Sequence, residues 1–463
     1  MRICLSSPGA RLISLLVTGL LAAVVGSAPA QVFSPLEKLE PSPTQISLSE
    51  AIRRAIANEP NFAATKAEQR AASLDRGIAR AALLPGAVYH NQVLYTQPNG
   101  ASNSAGPKGS QPAPIFIANN AVREYASQAA ISETVGLAQV ANVRVADAAA
   151  MRAAAELEIA RRGLVVATSS LYFSLLASER KLLVLESATQ EASNFVALTQ
   201  KREAVREVAH ADVIKAELTL QQRTRDRADA ILARDRAQLE LAMLLFADPL
   251  TPFTLDPAAP SQTLPALSDV QAAASHHNPE LASALAALQQ SEAEVLGARA
   301  AYLPGLGLNF TYGIDGTTFA TKAPFDSDAG RNPRNLGYSI AATLDIPVWD
   351  WFSTEHRVKQ SEVRREAVRV ALTAAQKRLI VDLKETYTEA QTAQNQLASL
   401  SQTSRSASES LRLTRLRYSS GEATALEVVD AQTTLYAAQT ALEDGLLRNE
   451  QALTSLHSLM GTL

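Results

Sequence analysis

The chain has a single cysteine, Cys4, and it falls in a segment that reads as cleavable. A mature chain without cysteine has no disulfide framework, no thiolate site and no residue at the cleavage point to carry a lipid. Beyond residue 30 there is no uninterrupted apolar run long enough for a membrane-spanning helix. Basic residues form no stripe, and the net charge is −3, which argues against nucleic acid as a partner. Aromatics make up only 5%, which suits long Ala-rich helices better than a globular enzyme. Proline is absent from 137–246 and from 351–460. The six histidines show no HExxH spacing, and neither a P-loop nor a G-x-S-x-G elbow occurs. No catalytic residue, cofactor site or metal site is therefore expected. His276-His277, ahead of Asn278-Pro279, reads as a capping and linker element.

Residues 1–30 read as a secretory signal. Arg2 and Arg11 supply the positive region, Leu12 to Gly26 the apolar core, and Ala28-Pro29-Ala30 a small-residue cleavage site. A proline-punctuated linker, 31–47, follows. About 430 residues remain, more than one compact core usually holds. They divide into two copies of one unit. Pro60 stands 219 residues before Pro279, and Pro85 219 before Pro304, so NEPNFAATKAEQRAASLDRGIARAALLPG aligns without a gap on HNPELASALAALQQSEAEVLGARAAYLPG. Tyr125-to-Val135 matches Tyr338-to-Val348, and HADVIKAELTL matches ALEVVDAQTTL at an offset of 215. The expected organisation is a first repeat over 48–246, a proline-rich connector over 247–265 and a second repeat over 266–463.

Each repeat opens with a short helix, capped by Ser47 or Ser49 in the first copy, which the Asn58-Glu59-Pro60 segment kinks or restarts. Leu-Pro-Gly then stops the helix at Pro85-Gly86 and at Pro304-Gly305. The residues that follow alternate. Leu306, Leu308, Phe310, Tyr312 and Ile314 point one way, and Gly307, Asn309, Thr311 and Gly313 the other. Strands are expected over Gly86 to about Gln97, Arg123–Val135, the stretch after Gly305, and Tyr338–Val348. Pro98–Asn119 and Gly316–Leu336 read as loops. A tilted strand of about eleven residues spans about 25 Å, the height of an outer-membrane apolar band. Four strands cannot close a barrel with a lumen, and lipid tolerates no open edge, so three copies pooling twelve strands is the simplest solution.

The proline-free stretches are helical, with apolar spacing such as Val363, Ala367, Val370 and Ala374 suited to side-by-side packing. As single rods each would reach about 160 Å, so both are expected to fold back. The turns lie at Ser419-Ser420-Gly421 and, by offset, at Ala204-Val205-Arg206. The short rod before the strands is expected to stack end to end with the return leg. Asp212, Glu427 and Asp430 lie a turn or two past the hairpin ends. In a three-fold tube they would recur as a ring of negative charge that attracts cations.

This order of elements, with the tip YSSGEATALEVVDAQTTLYAAQTAL, resembles the TolC-type outer-membrane efflux proteins over essentially the whole mature chain. The resemblance implies a mixed α/β membrane protein. Long helical hairpins would form a periplasmic helical barrel, and four strands per chain would join a trimeric twelve-stranded barrel in the outer membrane. It implies a homotrimer that meets outer-membrane lipid, docks a periplasmic adaptor and is driven by an inner-membrane pump or transporter, with no chemistry of its own. By position, Tyr418 and Asp212 match the tyrosine and acidic partner that hold the entrance shut, and Glu427 and Asp430 match the constriction ring. Ala423 stands where a gate arginine is expected, and Lys215 occupies the first-repeat counterpart of Asp430, making it a candidate partner for Glu427 or Asp430. The competing reading is a structural or adhesive periplasmic coiled coil with a small β head.

Overall fold

The computed structural model describes residues 44–95, 123–256, 264–316, 318–323, 330–332 and 334–461. The signal segment with Cys4, most of the linker, the loop 98–119 and the middle of the connector lie outside the described residues. By its contacts the chain divides into two units, Met1–Thr44 and Gln45–Leu463. The second carries everything that follows. No helix among the described residues is long and apolar enough to cross a membrane.

Each repeat begins with two short helices. In the first, α1 spans Leu48–Asn58 and α2 Pro60–Ala81. Ser47 supplies the cap of α1, accepting the Glu50 N–H at 3.3 Å. Glu59 interrupts the run because Pro60 cannot donate to the preceding turn, and its carboxylate accepts the Phe62 N–H, so α2 restarts with a satisfied end. Strands β2 (Gly86–Tyr95) and β3 (Arg123–Val135) follow. Then come α3 (Leu137–Ala204), about 100 Å long, and α4 (His210–Leu245). The second repeat runs α5 (Leu267–His277), α6 (Pro279–Ala300), β5 (Gly305–Gly316), β6 (Leu336–Asp345), α7 (Ser353–Ser419) and α8 (Ala425–Met460). Asn278 caps α6 as Glu59 caps α2, accepting the Leu281 N–H at 2.7 Å. Two three-residue strands, β1 (Thr44–Ile46) and β4 (Phe253–Leu255), pair beside the middle of α3. There the Tyr172 hydroxyl donates to Asp256 O at 2.7 Å, and burial pushes its pKa up to about 12.

The large sheet has the order β2-β3-β5-β6 and is antiparallel throughout. Its register builds one apolar face in rows, such as Ala87–Ile131–Phe310–Ile340 and Tyr89–Ala129–Tyr312–Tyr338. The other face carries Gly307, Asn309 and Thr311 opposite Thr343, Ala341 and Ser339, with Thr311 and Ser339 hydroxyls 2.6 Å apart. Gly313 is required: a Cβ there would run into the Ser127 carbonyl on β3. Among the described residues no element covers the apolar face, and Val93, Tyr312, Tyr338 and Ile340 are exposed. β6 ends at Asp345, so Pro347 lies beyond the last ladder bond and does not interrupt it.

α3 is the spine of the helical part. It pairs with α4 as one hairpin and packs against α2, α6 and α8, while α7 pairs with α8 and α6. The two repeats bury equivalent positions. Ala51, Ala55, Ala237, Leu241 and Leu245 pack in one core, and Val270, Ala274, Ala452, Leu456 and Met460 in the other. In the first repeat the end of α4 meets α1, where the Asn58 side chain donates to Leu245 O at 2.6 Å and Arg54 lies over the Phe246 ring. The stripe Val363, Ala367, Val370, Ala374 is exposed, and α7 turns Leu372 inward instead. Heptad spacing identifies an apolar stripe but not its partner, and α7 lies at the edge of the chain with its stripe on the open side.

Candidate tip gate

Both hairpins turn by the same backbone route. Glu207 N donates to Arg202 O at 2.9 Å and Arg206 N to Glu203 O at 2.8 Å; Glu422 N donates to Arg417 O at 2.8 Å and Gly421 N to Tyr418 O at 3.2 Å. These are the carbonyls a helix leaves unpaired at its C-terminus, closed by one left-handed residue. In the second tip that residue is Gly421, with φ +82°, and in the first it is Arg206, with φ +62°.

Tyr418, the last tyrosine of α7, is buried, 2% exposed, in an apolar cluster with Phe195, Val196, Leu411, Ala425 and Val428. Its ring lies 5.4 Å from that of Phe195. It does not meet Asp212, and its hydroxyl has no hydrogen-bond partner among the described residues. What holds it is Arg202. The guanidinium stacks over the Tyr418 ring at 4.7 Å and donates to Tyr418 O at 2.6 Å and Ser419 O at 2.7 Å. An arginine from the end of α3 thus closes the carbonyl end of α7, where helix polarity favours a cation. Sequence reasoning misses Arg202; the only signal is its position at offset 215 from Arg417, in a turn otherwise lacking the expected glycine.

The acidic positions separate. Glu427 is held by the Thr424 capping box: Thr424 Oγ1 accepts the Glu427 N–H at 3.3 Å, and a Glu427 oxygen accepts the Thr424 N–H at 3.1 Å. Arg417 stands 3.4 Å from its other oxygen. The Thr424 N–H and, at 3.2 Å, the Thr424 hydroxyl donate to the carboxylate, and these bonds, and then Arg417, hold the Glu427 carboxyl below the usual carboxylate range. The Thr-x-x-Glu spacing is a capping signature and makes this contact legible in sequence. Lys215 is exposed and forms no ion pair with Glu427 or Asp430 among the described residues. Asp430, its counterpart in repeat register, is also exposed, and Asp212 is half-buried in the first turn of α4. At the other end, Pro85-Gly86 and Pro304-Gly305 lie where α2 and α6 give way to strands. His277 closes α5, its Nδ1 3.3 Å from Ala273 O.

The family profile described as outer membrane efflux protein matches residues 271–462. The outer membrane protein OprJ of Pseudomonas aeruginosa is 23% identical over 306 residues, covering 65% of this chain and 62% of OprJ. The chain thus spans less than two thirds of the length of the sequence relatives it matches. Among solved structures, the outer membrane protein VceC of Vibrio cholerae superimposes with a TM-score of 0.76 at 17% identity, over 89% of this chain and 96% of VceC. The open state of the MtrE outer membrane channel of Neisseria gonorrhoeae gives 0.75 at 20%, over 89% and 88%.

Proposed function

We propose that the chain is a member of the outer membrane efflux protein family and a passive exit duct of the bacterial outer membrane, extending into the periplasm. The observation that carries this reading is the four-stranded sheet, whose apolar face is uncovered and whose outer edges on β2 and β6 are unpaired among the described residues. Unpaired edges are not tolerated in lipid. Three copies would pool twelve strands into a closed barrel with Phe310, Tyr312, Tyr338 and Ile340 toward lipid and Asn309, Thr311 and Ser339 toward the bore. The same assembly would cover the open stripe Val363–Val370 of α7 with a neighbouring copy.

The helical hairpins would then form the periplasmic tube, with 48–246 and 266–463 as its two repeats. A periplasmic adaptor and an inner-membrane pump or transporter would open the tube at the tips and supply the energy. Asp212, Lys215, Asp430 and Glu427 would recur three-fold around the entrance, and Tyr418, clasped by Arg202, would hold each chain's two tips together. The test is conductance of the detergent-extracted protein in planar bilayers, with its subunit count by mass photometry. The expected result is a trimer with low, cation-favouring conductance that rises when Tyr418 and Asp212 are both replaced by Ala. A monomer without channel activity would overturn the reading.

A further inference from the structure

The seam between the hairpins is apolar near the tips except at one level. On α8 the buried positions Ala425, Val428, Gln432 and Leu435 follow the 3-4-3 spacing of a packed helix stripe, so Gln432 occupies a core position. Arg223, in the buried stripe of α4 with Val213 and Ala216, comes to the same level. Between them and Glu191 and Ala192 of α3 lies a cavity of about 40 Å³. Gln432 is only 8% exposed, and both its Nε2 and its Oε1 lack a partner among the described residues.

The charges around the cavity are already answered. Arg223 donates to Asp226 at 3.0 Å and to Thr433 at 3.1 Å, and stacks over Tyr436 at 4.4 Å. Glu191 accepts from Arg415 of α7 at 3.1 Å. An ion of either sign would find no unbalanced countercharge. The buried amide needs a donor and an acceptor together, in a space a few atoms wide, and leaving both groups unmet is costly. Water meets that requirement at roughly 10–15 Å³ per molecule.

We infer that Gln432 holds one or two water molecules in this cavity, making a hydrated polar layer across α3, α4 and α8. Such a layer fixes the register of α8, as a lone polar residue does in a coiled-coil seam. The hydration rests on this geometry alone and stands whether or not the chain is a duct.

The test is a density map of the detergent-extracted protein at better than 2 Å, beside Gln432→Leu. Density within hydrogen-bond distance of both amide atoms is expected, and the Leu variant should lose it and shift its thermal midpoint upward. A Gln432 amide bonded only to protein groups, with no such density, overturns the inference. So does a downward shift in the Leu variant, or in Gln432→Met if the Leu variant fails to fold.

Discussion

Residues 202–212 and 417–427 turn the chain in the same way with different side chains, and the difference lies in how each turn is secured. The second tip has Gly421 at its left-handed position and a Thr424–Glu427 capping box. The first has Arg206 in that conformation, and its following helix starts at Ala209 without a side-chain cap. The two arginines at equivalent positions also diverge. Arg417 stays within its own turn, donating to Glu422 O, whereas Arg202 crosses to the other hairpin. One duplicated turn carries its own glycine and capping box, and the other lends it a clasp. The second tip is therefore secured twice, by its own residues and by Arg202, and the first is the less capped of the two.

Removing the clasp should have the largest effect. Arg202→Ala deletes two charge-assisted hydrogen bonds and a stacking contact, about 2–3 kcal/mol locally. Faster hydrogen exchange at 418–421 is expected. Arg417→Ala, at the equivalent position but half-exposed, should cost under ~0.5 kcal/mol. Equal effects from the two would erase the contrast. Thr424→Ala should cost about 1 kcal/mol through the lost cap, and Ala209→Ser should gain a similar fraction at the first tip, both read as amide protection in the first turns of α8 and α4.

Arg206→Gly should relieve left-handed strain and stabilise the first tip by under ~1 kcal/mol, the gain being partly offset by unfolded-state entropy. Gly421→Ala should lose a comparable amount. The smallest effect is acid-dependent. Because Glu427 titrates below its ordinary 4.5, its contribution is complete above that value and fades as pH falls below it. Exchange in the first turn of α8 should then accelerate relative to that of α4.

Much of the fold is legible in the sequence because two periods, 2 and 3.6, alternate along the chain with Pro-Gly punctuation between them. Arg123–Val135 and the halt of α7 at Ser419 follow from that alone. The first turn is found only through the offset, since Arg206 carries no turn signal. The gate contacts are the less legible part. Tyr418 and Arg202 are 216 residues apart, and spacing along a helix reports neighbours on that helix, not a cation arriving from another hairpin. Glu427 shows the converse: its capping role is visible three residues upstream, at Thr424, yet charge at a presumed constriction invites a reading as bare lumenal charge.

α3 runs unbroken from just after β3 to its tip, 68 residues, and α7 runs unbroken for 67 residues from Ser353, beyond the segment that follows β6. The paths beside them are jointed, as at the Asn58–Leu245 hydrogen bond between α1 and α4. In mechanical terms, two continuous beams lie alongside two pinned struts. Torsion applied at residue 204 is carried along hydrogen-bonded helix to residue 137 and into β3, whereas the same twist applied to α4 is absorbed at its pin. Force delivered to the tips therefore arrives at the sheet along two members out of four.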